Sequence, residues 1–232
     1  MPRIFRILPE EGALHILTRG NNRRSVFEDD NDYKAYLSCL KKYKKENNIS
    51  IYHYCLMPNH IHLIIELNFA SSLAKFMKQV NLAYLYRYKK KYDYCGHLWQ
   101  GRYKSLIISN DGYLITCGRY IERNPVKARL VKYAKEYKWS SFNAYAYGVR
   151  RGIVDYNPIY LGLGEIEKDR QAFYQESIKG GVEKINFNAR FFGPNEFIRK
   201  MEEKYKVDNV REKRGRPNKE KGDASIYENE NK

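Results

Sequence analysis

Met57-Pro58-Asn59-His60-Ile61-His62-Leu63-Ile64-Ile65-Glu66 is the stretch on which the reading of the chain turns. Pro58 and Asn59 are turn formers, and the aliphatic run after them reads as a β-strand. Side chains two apart on a strand point to one face. His60 and His62 therefore stand side by side while Ile61 faces the layer beneath. Two imidazoles at this spacing suit a shared divalent metal ion, with a third ligand supplied from elsewhere. Taken alone, a His-x-His pair reads more simply as two packed or surface histidines, so the surrounding sequence has to decide.

Working outward, residues 49–56 form a second apolar run, joined to the histidine strand by the short 57–59 turn. Before it, Tyr33, Tyr36, Leu37, Leu40 and Tyr43 follow three-and-four spacing behind Asp29 or Asp30, which predicts a capped helix over 29–46. Residues 12–18 read as a first strand carrying His15, a packed histidine on this reading. That strand ends in Arg19-Gly20-Asn21-Asn22-Arg23-Arg24. This basic loop of turn formers either offers side chains and N–H groups to phosphates or is a solvated connection. Downstream, Leu73, Phe76, Met77, Val80, Ala83 and Tyr84 make the apolar stripe of a helix over 71–91. A basic and aromatic approach, 96–105, leads to a fourth strand at 106–108. The order strand, helix, strand, strand, helix, strand predicts an α+β, ferredoxin-like four-stranded antiparallel sheet with both helices on one face.

Ser109-Asn110-Asp111 caps a further helix. Leu114, Ile115, Gly118 and Ile121 form its buried side, and Tyr113, Cys117, Tyr120 and Asn124 an adjacent face. Pro125 ends it at Asn124. A basic connector (Lys127, Arg129, Lys132) leads to Trp139-Ser140-Ser141-Phe142, which closes a core domain over 1–149. Residues 150–210 read as a helical C-terminal extension with pieces at 165–178 and 193–205. Residues 211–232 are nearly free of apolar side chains and are expected to be disordered. Within them, Lys213-Arg214-Gly215-Arg216-Pro217 resembles an AT-hook, whose Arg214 and Arg216 would enter an A·T-rich minor groove. A solvated basic tail accounts for the same residues.

Lysine and arginine number 43 against 27 acidic residues, a formal net charge of +16, which favours a polyanionic partner. Tyrosine, at 22 residues, often lies beside Lys or Arg, as in Tyr84-Leu85-Tyr86-Arg87-Tyr88-Lys89. That mixture suits base stacking next to phosphate contacts, although several rings belong to the core. Cys39, Cys55, Cys95 and Cys117 make no Cys-x-x-Cys pair. They read as reduced thiols, not a disulfide framework or a zinc site. With no secretory signal and no apolar run long enough to cross a membrane, a soluble cytoplasmic protein is expected.

Met57-Pro58-Asn59-His60-Ile61-His62-Leu63 resembles the signature of the HUH single-strand transposases, named for their His-hydrophobic-His pair. Tyr120-Ile121-Glu122-Arg123-Asn124-Pro125-Val126-Lys127-Ala128 resembles their catalytic helix, especially in the REP-associated tyrosine transposase branch. The Arg19-Gly20-Asn21-Asn22-Arg23 loop and Trp99-Gln100-Gly101-Arg102-Tyr103-Lys104-Ser105 are similar as well, and the likeness runs in order from about residue 2 to 147. The resemblance implies the ferredoxin-like fold already reached from the pattern. It implies a divalent metal, Mg or Mn, on His60 and His62, with Asn124 in the place of the third ligand, where some relatives have the longer glutamine. Tyr120 would be the nucleophile, cutting single-stranded DNA beside imperfect palindromes that fold into hairpins. Arg19, Asn21, Asn22, Arg23, Arg102 and Lys104 would contact that DNA. One tyrosine per chain implies either a homodimer or two successive monomers. A domesticated hairpin-binding protein is the alternative; a replication initiator or relaxase fits the motif order less well.

Overall fold

The structure, a computed structural model, describes residues 6–7, 9–68, 70–109, 112–180, 185–186 and 188–210. In chain order the elements begin β1 (Gly12–Arg19), a 3-10 turn (Asn21–Arg23), α1 (Asp30–Glu46), β2 (Ser50–Met57), β3 (His60–Leu67), α2 (Ala70–Tyr92) and β4 (Lys104–Ile108). They continue with α3 (Gly112–Glu122), α4 (Asn124–Lys127), α5 (Phe142–Tyr147), α6 (Pro158–Leu161), α7 (Glu167–Ser177), β5 (Phe191–Phe192) and α8 (Asn195–Tyr205). Residues 211–232, with Arg214 and Arg216, and the cap residues Asn110 and Asp111 lie outside the described residues.

The sheet order is β2-β3-β1-β4-β5. The first four strands pair antiparallel, in the expected split βαβ arrangement, and β5 adds to β4 in parallel. The extension is thus not wholly helical. The Ile107 N–H donates to the Arg190 carbonyl and the Ser109 N–H to the Phe192 carbonyl, which docks the C-terminal segment on the sheet edge.

α1 starts where its sequence said it should. Asp29 accepts from the Asn31 and Asp32 N–H groups, and Asp32 reaches back to the Asp29 N–H, a complete capping box. α1 and α2 pack on each other and cover one face, above Leu14, Ile16, Leu63 and Ile65. Alternation sends His15, His53, Cys55, His60 and His62 to the other face. α3 lies across β2 and β3 on that face. It also seeds a second apolar cluster, in which Ile115 packs with Phe142, Tyr145, Ala146, Tyr160 and Tyr174.

Many tyrosines are core. Tyr84 and Tyr88 are buried, leaving Tyr86, at 68% exposure, as the open ring of the run that suggested base stacking. Burying a phenol requires a partner for its hydroxyl. Tyr145 donates to the Tyr52 carbonyl at 2.8 Å, Tyr160 to the Tyr145 carbonyl at 2.9 Å and Tyr137 to the Leu56 carbonyl at 2.6 Å. All four cysteines are free. No helix among the described residues is long and apolar enough to cross a membrane.

Candidate active site

His60 opens β3 opposite Arg19 and Met57, and His62 sits two pairs inward opposite Leu17 and Cys55. Their rings are 4.9 Å apart and nearly perpendicular, at 79°. Metal–nitrogen bonds of roughly 2.1 Å put two imidazoles about 4.6–5.3 Å apart, centroid to centroid, when they share one ion. Each ring is also held at its inner nitrogen. His60 Nδ1 meets the Asn59 carboxamide oxygen at 2.6 Å, and His62 Nδ1 meets His15 Nε2 at 2.8 Å. A carboxamide oxygen only accepts, so His60 carries its proton on Nδ1 and directs the Nε2 lone pair outward. If His62 donates to His15 in the same way, both Nε2 atoms have the ligating form. Burial pushes His15 down to about 3, with His60 adding to the effect. Burial pushes His60 down to about 4, with help from Arg19, and takes His62 well below the usual imidazole range. Neutral imidazoles are the form a metal binds, so the donor set fits a divalent ion. Among the described residues, no group of three or more His, Cys, Asp and Glu side chains is placed to hold one.

α3 ends at Glu122, earlier than Pro125 suggested, because proline is accommodated in the first turn of α4. Asn124 therefore opens α4 and does not close α3. Its side-chain nitrogen is buried and lacks a hydrogen-bond partner among the described residues. Tyr120, half-buried on α3, has the Lys127 ammonium 3.9 Å from its ring centroid. Burial raises the Tyr120 pKa, with a smaller push from Cys117, and burial lowers that of Lys127, with Arg123 assisting. The phenol is thus protonated at neutral pH until further positive charge reaches it.

The basic loop is built against the histidine turn. The Gly20 N–H donates to the Asn59 carbonyl at 2.9 Å, the Asn21 N–H to the Leu98 carbonyl at 2.8 Å, and the Gln100 N–H to the Arg19 carbonyl at 2.9 Å. Asn59 Nδ2 donates to the Arg23 carbonyl at 3.0 Å. Asn22 and Arg23 take left-handed backbone, φ 49° and 59°. A Cβ at Gly20 would lie 2.4 Å from the Arg24 carbonyl oxygen, so the turn closes only on glycine. Arg19, Asn22 and Arg23 are exposed, Asn21 is half-buried, and Arg19 acts electrostatically on both His60 and His62. Arg102 and Lys104 are exposed too, and Lys104 faces Leu17 on the histidine side of the sheet. Three stretches far apart in sequence, 19–24, 57–62 and 98–104, therefore meet at one end of the sheet.

Residues 10–124 match a family described as IS200-like transposase. A candidate REP-associated tyrosine transposase of Haemophilus influenzae is 32% identical over 100 residues, which are 38% of this chain and 56% of the relative. In fold the chain is similar to a REP-associated tyrosine transposase solved bound to a REP hairpin, with a TM-score of 0.56 and 21% identity over 67% of this chain and 95% of that one. Over residues 10–124 the chain is thus similar to the IS200-like transposases. It spans little more than half the length of the Haemophilus relative.

Two features of the site are not visible in local sequence. His15, read as a packing histidine, engages His62 directly and stacks on it with centroids 5.0 Å apart. Glu122, two residues past Tyr120, is fully buried. Its carboxylate accepts from Ser141 Oγ at 2.5 Å and Tyr174 Oη at 2.7 Å, and pairs with His53 Nδ1 at 3.0 Å. His53 Nε2 in turn meets Asn157 Nδ2 at 3.1 Å. α3 is clamped from outside as well: Arg119 donates to the Ser177 carbonyl at 2.9 Å and Arg123 to the Gly180 carbonyl. A small residue in the buried stripe of α3 was the available signal, since Gly118 leaves its space to the His53 ring.

Proposed function

We propose that this protein is a metal-dependent transposase that binds and cleaves single-stranded DNA at hairpin sites and rejoins the strands, working in the cytoplasm. The observation that carries the reading is the pair His60 and His62, each held at Nδ1, on the sheet face that α3 covers with Tyr120. The relative of known structure is bound to a REP hairpin, which supports a palindromic substrate of that kind. Arg19, Asn21, Asn22, Arg23, Arg102 and Lys104 would grip its backbone at the same end of the sheet.

His60 and His62 would hold a divalent ion, Mg or Mn, through Nε2, with Asn124 as the third ligand. When bound, the ion supplies charge neutralisation at a non-bridging phosphate oxygen and polarises the scissile phosphodiester. His15 and Asn59 keep the two imidazoles neutral and oriented. Tyr120 Oη attacks in line: the O–P bond forms, the P–O3′ bond breaks, and the 3′ oxygen leaves as a hydroxyl while the phenolic proton is lost. The product is a 5′-phosphotyrosine whose bond energy is conserved for rejoining. Lys127, against the ring, favours the anionic phenol.

The test is covalent capture. A hairpin oligonucleotide with a single-stranded flank, incubated with Mn²⁺, should yield a protein–DNA adduct resistant to denaturation. Y120F should abolish the adduct and leave hairpin affinity within about twofold. An unchanged adduct yield overturns the nucleophile assignment. Tight hairpin binding by the native protein with no adduct under any divalent ion would favour the other reading, a domesticated hairpin-binding protein. That reading draws on the raised Tyr120 pKa.

A further inference from the structure

Past Tyr120 the chain walls a cavity of about 330 Å³ that no step of the proposed chemistry uses. One wall is Arg123, between α3 and α4, and Val126 of α4; the opposite wall is Gln175 of α7 with Ile178 and Lys179 just after it. The floor and rim carry Lys132, Tyr133 and Lys135, with Phe142 and Tyr147 from α5. Its volume falls at the lower end of the range of small-molecule sites, roughly 300–1,000 Å³. Its chemistry is aromatic and cationic: four basic side chains and no acidic one line it among the described residues. Tyr133 and Tyr147 remain 51% and 46% exposed, large rings left open to solvent in a protein that buries most of its tyrosines. The Lys132 and Lys135 amines stand 5.3 and 5.7 Å from the Tyr133 ring centroid.

The walls are fixed in place. Glu136 accepts from the Lys132 and Tyr133 N–H groups at 3.0 Å each, which shapes the loop presenting Tyr133. Arg119 donates to the Ser177 carbonyl and Arg123 to the Gly180 carbonyl, so the end of α7 is tied to α3 and the residue after it across the opening. Arg123 lies three residues past Tyr120, between α3 and α4, and its N–H donates to the Arg119 carbonyl at 3.1 Å. The cavity thus opens beside the chain that leaves the element carrying the proposed nucleophile.

We propose that this cavity receives an unpaired base of the DNA strand next to the cleaved phosphate. Tyr133 and Tyr147 offer the stacking faces, and Lys132, Lys135 and Arg123 take the flanking phosphates. The assignment rests on the transposase reading. A base paired inside a duplex has no free face to lay against Tyr133 or Tyr147, whereas an extended single strand offers each base one. The site therefore selects single-stranded flank over hairpin stem, a discrimination the exposed basic loop at 19–24 does not supply.

Two measurements on the full chain test it. A fluorescein-labelled strand of twelve thymidines and a twelve-base-pair duplex are titrated at one fixed salt concentration. Y133A should weaken the single strand about 5- to 150-fold, the range for losing one base stack, and leave the duplex within twofold. Y147A, a second exposed ring, should act in the same direction. Hairpin oligonucleotides with 5-iodouracil at successive flank positions should cross-link on irradiation to Tyr133 or Tyr147. Unchanged single-strand affinity in both variants, equal losses on single strand and duplex, or cross-links confined to other residues would overturn the proposal. The adduct assay separates the two readings. An adduct formed normally by native protein, with cross-links elsewhere, sinks only the cavity. Single-strand losses in Y133A, without any adduct from native protein, sink only the nuclease.

Discussion

Gly118→Ala places one methyl group where the structure has no room. The added Cβ would lie 2.5 Å from His53 Cε1, 2.6 Å from Nε2 and 2.7 Å from Nδ1. The imidazole cannot swing away, because it is fully buried and stacked on Tyr145 at 4.2 Å, with Glu122 and Asn157 at its two nitrogens. Two effects oppose each other. Alanine in a helix interior gains roughly 1 kcal/mol over glycine. Overpacking a filled core costs roughly 1–3 kcal/mol, and displacing His53 from the Glu122 carboxylate adds about 1.5–3 kcal/mol. The loss wins, by roughly 1.5–5 kcal/mol net, which for a domain of this size lowers Tm by about 3–20 °C. The control is Gly112→Ala at the start of the same helix, where a Cβ meets nothing within 4 Å. Differential scanning calorimetry on the two variants decides the matter. A Gly118→Ala protein that melts with or above the native one would refute the close packing of α3 on β2.

Glu122→Ala strands the Ser141 and Tyr174 hydroxyls and His53 without their shared acceptor. A loss on the order of 3 kcal/mol or more is expected in urea denaturation, since each buried unsatisfied group costs about 1–3 kcal/mol. His15→Phe keeps a ring stacked on His62 but removes the nitrogen that engages its Nδ1. Mn²⁺ affinity, read by calorimetry without DNA, should fall about 10- to 100-fold, and unchanged affinity would remove His15 from any positioning role. Stability of the metal-free protein should decline as pH drops. His15 and His60 titrate near 3 and 4 when folded and near 6.5 when unfolded, so the unfolded chain takes up protons first. The loss begins as pH falls through about 6.5, at a limit of roughly 1.4 kcal/mol per pH unit for buried His15. It is smaller for the partly exposed His60. Urea midpoints measured in EDTA at pH 7.5, 6 and 5 check it, and a flat profile counts against neutral, desolvated histidines. Gly20→Ala should open the 19–24 turn and weaken hairpin binding severalfold with little change in Tm.

The four main strands could be read because each is a run of apolar residues bounded by turn formers, and α1 because Asp29 stands as a cap ahead of its apolar spacing. β5 could not. Two residues, Phe191 and Phe192, have no period, and they become a strand only because β4 offers an open edge. The end of α3 was misplaced for a different reason: the rule that proline disfavours the preceding helix competes with proline's fit to a first helical turn, and here the second effect prevails. His60 and His62 were legible from a spacing of two. The His15–His62 contact depends on the β1–β3 register, which pairs residues 47 positions apart and is set by the whole sheet.

The match to the IS200-like family ends at Asn124, yet the groups that fix the tyrosine helix lie largely beyond it. Ser141, Asn157, Tyr174, Ser177 and Gly180 reach back to Glu122, His53, Arg119 and Arg123. A hydroxyl nucleophile must be held to within fractions of an ångström of its line of attack, and a helix resting on one face of a sheet is free to slide unless something stops it. Here Glu122 is the stop. Its carboxylate is buried because donors from β2, α7 and the residue before α5 converge on it, and a buried carboxylate is tolerable only where every lone pair is met. The motifs therefore mark where the proposed chemistry would sit, while the segment after them holds the helix bearing Tyr120 in place.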